Sequence, residues 1–406
     1  MTRGCHWRRL AARRGAAAVL VAVLAGTGAS VAAMAEQNRQ PLLRVTGSPQ
    51  VVFDWSRDAC SAEEIPDLPV RAFRDDSGRT QIILAHYVNR RLVGKDLAHL
   101  RGDCRPVLSS AASADPAMFS DRRWLASLYT LDGRTVYALV HDEYQGHRHA
   151  GRCRSGQYEP CWYNAVTLAV SNDGGDVYRQ APSPRHLIAS IPQRYRPDDG
   201  PAGMFAPSNI VRSPRDGFYY VLVRMIGYGG SPRGTCVLRA PRLDRADAWR
   251  AWDGAEFSIR LRDPYGKHPS RARFCVPVAK NEIAEMDESL TYNAVLGGFL
   301  LVGLTSAYDQ QKRTIVDGVY YSSSDNLISW TPRRLLFEAE RVQTYHCGDA
   351  DPIAYPSVID PSSRSRSFDT SDANAYLYFT RLNYDGCQQT RDRDLLRVPI
   401  AVGEQP

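Results

Sequence analysis

Beyond residue 35, no apolar run in the 406-residue sequence approaches the roughly 20 residues that a bilayer span requires. Nor does any long stretch space its apolar residues with the 3.6-residue period of an amphipathic helix, which disfavours an α/β fold. The nine cysteines include no C-x-x-C pair, so the ligand spacing of a zinc site is missing and no metal site is expected. A charge excess is missing too. Residues 1–35 hold five arginines and no acid, leaving 46 basic against 44 acidic residues in the remainder. Without a basic footprint, nucleic acid is not an expected partner.

The opening segment has a basic start (Arg3, Arg8, Arg9, Arg13 and Arg14), an apolar run over 16–25, and small residues at Ala33-Met34-Ala35. That is the order of a secretory signal peptide, with cleavage expected after Ala35. Residues 36–48 are expected to be a linker and 49–406 one domain, secreted or periplasmic, free of the membrane and monomeric. Removing the leader removes Cys5, and eight cysteines remain for an oxidising compartment. Sequential pairing (60–104, 153–161, 236–275 and 347–387) keeps each disulfide inside one repeat unit as drawn below. Other connectivities remain open at this stage.

One pattern recurs five times: a short apolar segment, a turn with Asp, Gly or Asn, then β-branched and aromatic residues ending in polar groups. The copies start at Asp67, Trp124, Pro207, Glu288 and Pro356, and glycines 78, 133, 217 and 298 mark four of the turns. Further strands follow each hairpin: 166–171, 236–240, 319–323 and 395–402. A twisted blade cannot bury both faces alone, so such units must stack radially. The expected fold is all-β: a disulfide-stapled, five-bladed β-propeller with long loops, with residues 50–55 completing the last blade beside 395–402. A two-sheet sandwich is the alternative. Two turns, Ser171-Asn172-Asp173 with Tyr178 and Ser323-Ser324-Asp325 with Trp330, share Ser-x-Asp with an aromatic five residues on. In each, the Asp is expected to close the turn by accepting backbone N–H bonds.

The Ser171–Tyr178 turn resembles the Asp-box of sialidases. The Ser323–Trp330 turn is similar to that of arabinanase- and invertase-type glycosidases, and the whole mature chain resembles those five-bladed propeller enzymes in pattern. The resemblance implies an active-site pit at the channel mouth, with carboxylates from different blades acting on an oligo- or polysaccharide. Glycoside hydrolysis needs one protonated and one ionised carboxyl. Asp67, in Ile65-Pro66-Asp67-Leu68-Pro69, stands where the group's base stands, and the plain alternative is a turn aspartate between prolines. Glu288, opening the fourth inner strand, is the candidate acid, and Glu143, placed after a strand end, is the alternative. The group's usual third-blade acid is missing, because 205–210 carries no carboxylate. A non-catalytic glycan-binding pit therefore stands beside the enzyme reading, and a protein-binding scaffold is a third. The sequence leaves any cofactor or bound ion open, since no oxygen-ligand loop is recognisable. Polar residues at matching second-strand ends (His86, His141, Arg224 and Arg381) are expected to converge on the channel, with Trp124 and Tyr144 among the candidate sugar-stacking faces.

Overall fold

The computed structural model describes residues 41–182, 185–267 and 272–404. The proposed signal segment, Cys5 and the start of the proposed linker lie outside these residues. Apart from short 3₁₀ turns, two four-residue helices, Trp55–Asp58 and Lys280–Ile283, are the helical elements among the described residues. No helix there is long and apolar enough to cross a membrane.

The strands form antiparallel meanders. Meander I comprises Arg71–Arg74, Thr80–Leu84, Val88–Gly94 and Leu100–Ser109. Meander II comprises Arg122–Thr130, Val136–Gln145 and Trp162–Ser171 with two short edge strands. Meander III begins with Ala202–Pro207 and Val211–Arg212, then continues through Tyr219–Ile226, Arg233–Ala240, Arg250–Trp252 and Phe257–Ile259. Meander IV is Ser289–Asn293, Gly298–Asp309, Thr314–Ser324 and Arg334–Glu338. Meander V is Ile353–Ile359, Asn374–Asp385 and Gln388–Glu404. By hydrogen bonding these make four sheets, because a short parallel pairing of Ala202 and Gly203 with Tyr163 and Asn164 joins II to III.

The first and last described segments meet in meander V. Gln50–Phe53 pairs with the last strand from Leu395 to Arg397, as expected. Pro41–Val45 also forms a strand there, against Ile400 to Glu404, where a linker was expected. Leu43 anchors this strand, buried in the core between IV and V.

Hairpin turns follow the glycine pattern with one correction. Gly78, Gly133 and Gly217 adopt φ of 82°, 82° and 75°, a region open to glycine at no steric cost. In the fourth hairpin Gly297 takes that role at φ 59°, and Gly298 already belongs to the strand.

The strands bury both faces, and five apolar clusters result, each lying between two meanders. Phe73, Ile83 and Leu125 pack between I and II, and Tyr163, Met204 and Val223 between II and III. Leu222, Leu290 and Leu301 fill the space between III and IV, and Val302, Leu377 and Val398 that between IV and V. Ile82, Leu84, Tyr378 and Leu395 pack between V and I. Polar bonds repeat this cyclic order. Leu125 N donates to Asn89 Oδ1 at 2.8 Å, Ser127 Oγ to the Ser208 carbonyl, Leu290 N to Asn209 Oδ1 at 2.8 Å and Val358 N to Ser289 Oγ at 2.8 Å. Ser357 Oγ then donates to the Val70 carbonyl at 2.7 Å and returns the cycle to meander I.

At the centre stands Arg71, only 4% exposed. Its guanidinium donates to the carbonyls of Val70, Ala126, Pro207 and Glu288 and to Ser357 Oγ, one acceptor from each meander.

All four sequential disulfides are present, with Cα–Cα distances of 5.5, 5.8, 6.0 and 4.7 Å. Three close loops of 44, 39 and 40 residues, each worth about 4 kcal/mol in the chain-entropy picture.

The two Ser-x-Asp turns differ. In the first, Asp173 Oδ1 accepts from Val177 N at 3.0 Å and Tyr178 is buried beneath, as expected. In the second the closing residue is Asn326, whose Oδ1 accepts from Ile328 N at 2.9 Å and Ser329 N at 2.8 Å. Asp325 instead points outward, 81% exposed, to Arg215. The working pair is therefore Ser324 and Asn326, one residue later than expected, and Trp330 packs beneath.

Candidate functional site

Each meander contributes the start of its first strand and the end of its second to one cavity of ≈ 630 Å³. Asp67 and His86 come from I, Trp124, His141 and Glu143 from II, Phe205 and Arg224 from III, Asp287 and Glu288 from IV, and Tyr355 and Arg393 from V. The three carboxylates singled out in the sequence, up to 221 positions apart, thus line one depression.

Asp67 sits in a frame of donors. Arg393 pairs with its Oδ1, Tyr355 Oη donates to Oδ1 at 3.1 Å and Trp124 Nε1 donates to Oδ2 at 3.2 Å. Tyr355 holds a φ of 61°, costly for a bulky side chain, and its phenol is pushed up by burial and by the adjacent Asp67. Burial lowers the pKa of His86, whose Nδ1 lies 2.9 Å from the Glu63 carbonyl.

Glu288 lives under different rules. Its Oε1 accepts from Leu304 N and its Oε2 from Asp287 N, both at 3.1 Å. The neighbouring Asp287 Oδ2 accepts from Arg224 N at 2.8 Å. Burial raises both carboxyl pKa values, and Glu288 adds a like charge against Asp287. Asp287 is buried and Glu288 half-buried, and two adjacent carboxyls so placed favour sharing a proton. Gly303 makes room for this, since a β-carbon there would collide with Glu288 Oε2.

Glu143 is built into a third arrangement. The second strand of II runs to Gln145, beyond the strand end expected before it, and its period-2 alternation sends His141, Glu143 and Gln145 to the cavity. Glu143 takes Gln145 Nε2 at 2.8 Å and Tyr158 Oη at 3.0 Å on Oε2, with His141 Nε2 3.0 Å from Oε1.

Two expected residues are elsewhere. Tyr144 lies on the opposite face of that same strand, its hydroxyl on the Ala114 carbonyl at 3.1 Å and its ring stacked on His149. Arg381 likewise faces away and bonds Asp394 Oδ2 at 2.6 Å, so its neighbour Leu382 lines the cavity instead. Trp124 does reach the cavity, 3% exposed, with its indole N–H committed to Asp67. Sequence reasoning passed over Arg393, Tyr355, Tyr158 and Asp287. The adjacency of Asp287 to Glu288 was visible, whereas the others come from loops or distant strands that only the tertiary fold aligns.

Among the described residues, Cys153, Cys161 and Asp198 form a compact donor cluster, but the two cysteines are joined as a disulfide and so are not metal ligands.

No family model matches the chain, and no curated protein matches its sequence. Solved structures similar to it include a glycosyl hydrolase from Bacteroides ovatus, at 10% identity over 89% of this chain and 93% of that one, TM-score 0.45. Another is an α-L-arabinanase from Cellvibrio cellulosa in complex with arabinohexaose, at 12% identity over 80% and 92%, TM-score 0.42. A third is sucrose-6-phosphate hydrolase from Lactobacillus gasseri, at 10% identity over 86% and 62%, TM-score 0.44.

Proposed function

We propose that the five meanders are the blades of a five-bladed β-propeller and that the central pit is the active site of an exported glycoside hydrolase acting on an oligo- or polysaccharide. The cyclic order of the five interfaces supports the propeller. Four disulfides suit an extracellular or periplasmic setting.

One observation carries the enzymatic reading: carboxyls from different meanders face one cavity in different electrostatic settings, Asp67 paired with Arg393 and Glu288 half-buried beside the buried Asp287. Hydrolysis of a glycosidic bond requires that division. The ionised Asp67 acts on water or the anomeric carbon, and the Asp287–Glu288 pair supplies the proton to the leaving oxygen through Glu288. Trp124, Phe205 and Tyr158 offer apolar faces among polar groups, the mixture a sugar ring needs. A pit made only to bind gains nothing from setting a half-buried carboxyl beside a buried one, a costly arrangement. Glu143, with its own hydrogen-bonded frame, is the alternative acid.

The test is release of reducing ends from a panel of furanoside and pyranoside oligosaccharides by the purified mature chain, with Asp67→Asn and Glu288→Gln in parallel. Turnover that survives unchanged in Asp67→Asn removes the reading.

A further inference from the structure

An arginine guanidinium carries five N–H donors in a rigid planar fork. In Arg71 that fork meets one acceptor from every meander: Nε donates to Ala126 at 2.9 Å, Nη2 to Glu288 at 2.7 Å and to Pro207 at 3.4 Å, and Nη1 to Ser357 Oγ at 3.2 Å and to Val70 at 3.4 Å. All five acceptors are neutral. The guanidinium is therefore a buried cation with no carboxylate in direct contact, an expensive state unless an opposite charge lies close by. Asp287 and Glu288 are the anionic groups whose attraction it feels. Burial lowers the Arg71 pKa to about 9, which leaves it charged at neutral pH.

The place of Arg71 in the chain adds to this. It is four residues beyond Asp67 on the same inner segment, and its shortest bond is to the carbonyl of Glu288 itself. The same side chain thus ties the strand that follows one proposed catalytic carboxylate to the backbone of the other. We infer that Arg71 is a positioning residue for the pit: its guanidinium locks the Glu288-bearing strand to the Asp67-bearing strand and sets a positive charge against the backbone of Glu288. This rests on the hydrolase reading for its catalytic consequence, but not for its electrostatic one.

Two variants of the full mature chain separate these parts. Arg71→Gln removes the charge and keeps two donors, whereas Arg71→Lys keeps the charge and loses the fork. The substrate-free readout is the pH at which the buried carboxyl band of the pair disappears in the infrared, assigned by its loss in Asp287→Asn. The other groups facing the pair, Arg224 and Glu285, are the same in all variants. In Arg71→Gln the titration is expected to move up by about one pH unit, since loss of a nearby positive charge disfavours the carboxylate. In Arg71→Lys it stays near its original place while kcat falls about tenfold at unchanged KM, because misplacement affects the chemical step. An unmoved titration in Arg71→Gln overturns the electrostatic role, and an unchanged kcat in Arg71→Lys overturns the positioning role. If Arg71→Gln fails to fold, the kcat of Arg71→Lys decides. If the wild-type chain turns over no glycan, the hydrolase reading falls and the titration still decides for Arg71.

Discussion

Asp67 and Glu288 face the same cavity and are handled oppositely by the fold. Asp67 receives a guanidinium, a phenol and an indole N–H, so its negative charge is matched by donors from two other meanders. Glu288 receives only backbone N–H groups and a like-charged neighbour, in a setting dry enough to raise its pKa. Two carboxyls with similar intrinsic acidity are thereby set in different electrostatic surroundings. The difference lies in the partners that tertiary structure delivers and not in the side chains themselves.

The comparison breaks most sharply at the carboxyls. Asp67→Asn and Glu288→Gln are each expected to lower kcat by about 10²–10⁴-fold, the usual contribution of a positioned acid or base. Glycan binding, followed by calorimetry, should change far less, because these groups act mainly in the transition state. If Glu143→Gln carries the large loss and Glu288→Gln the small one, the acid is Glu143.

Stability against pH sharpens the same contrast. Asp287 has its folded pKa raised by burial and by Glu288, so at pH values above the ordinary Asp pKa the unfolded chain releases this proton more readily than the folded one. Its contribution therefore falls as pH rises from about 4 toward the raised value, by up to about 1.4 kcal/mol per pH unit. Asp287→Asn can still accept the Arg224 N–H and should flatten that slope in denaturant melts between about pH 5 and 7. A slope identical to wild type would show that the pair does not hold the proton.

Tyr355→Phe is a smaller step. It deletes one hydrogen bond to Asp67 while Arg393 and Trp124 remain. A kcat reduced about tenfold is expected, in line with about 1.5 kcal/mol for a bond to a charged group. No change would mean that Tyr355 only packs.

The repeat pattern made much of the architecture legible, because an apolar segment, a turn and a β-branched run must be a hairpin wherever they occur. The even cysteine count made the disulfides readable by the same local logic. Within the site, Asp67, His86, Trp124, His141, Glu143, Arg224 and Glu288 were accessible as residues at the ends of repeated strands. Arg381 shows where that rule stops: a one-residue difference along a strand sends a side chain to the opposite face, and strand ends are where register is hardest to read. Arg393 and Tyr355 were out of reach for another reason. Their significance is their contact with Asp67, 326 and 288 positions away, and nothing local announces it.

The two Ser-x-Asp turns give the finest comparison, since matching sequences adopt different bonding. Asp173 closes the first turn through Val177 N and Ser171 Oγ. In the second, Asn326 closes the turn and Asp325 contributes only an exposed pair with Arg215. Asp173→Ala and Asn326→Ala are each expected to cost about 0.5–1.5 kcal/mol, the usual worth of such hydrogen bonds. Asp325→Ala should stay within about 0.5 kcal/mol, because exposed ion pairs contribute little. Denaturant midpoints of the three variants check this ordering. If Asp325→Ala were the costly one, the turn would be closed by the residue the sequence suggests, and the one-residue offset would be wrong.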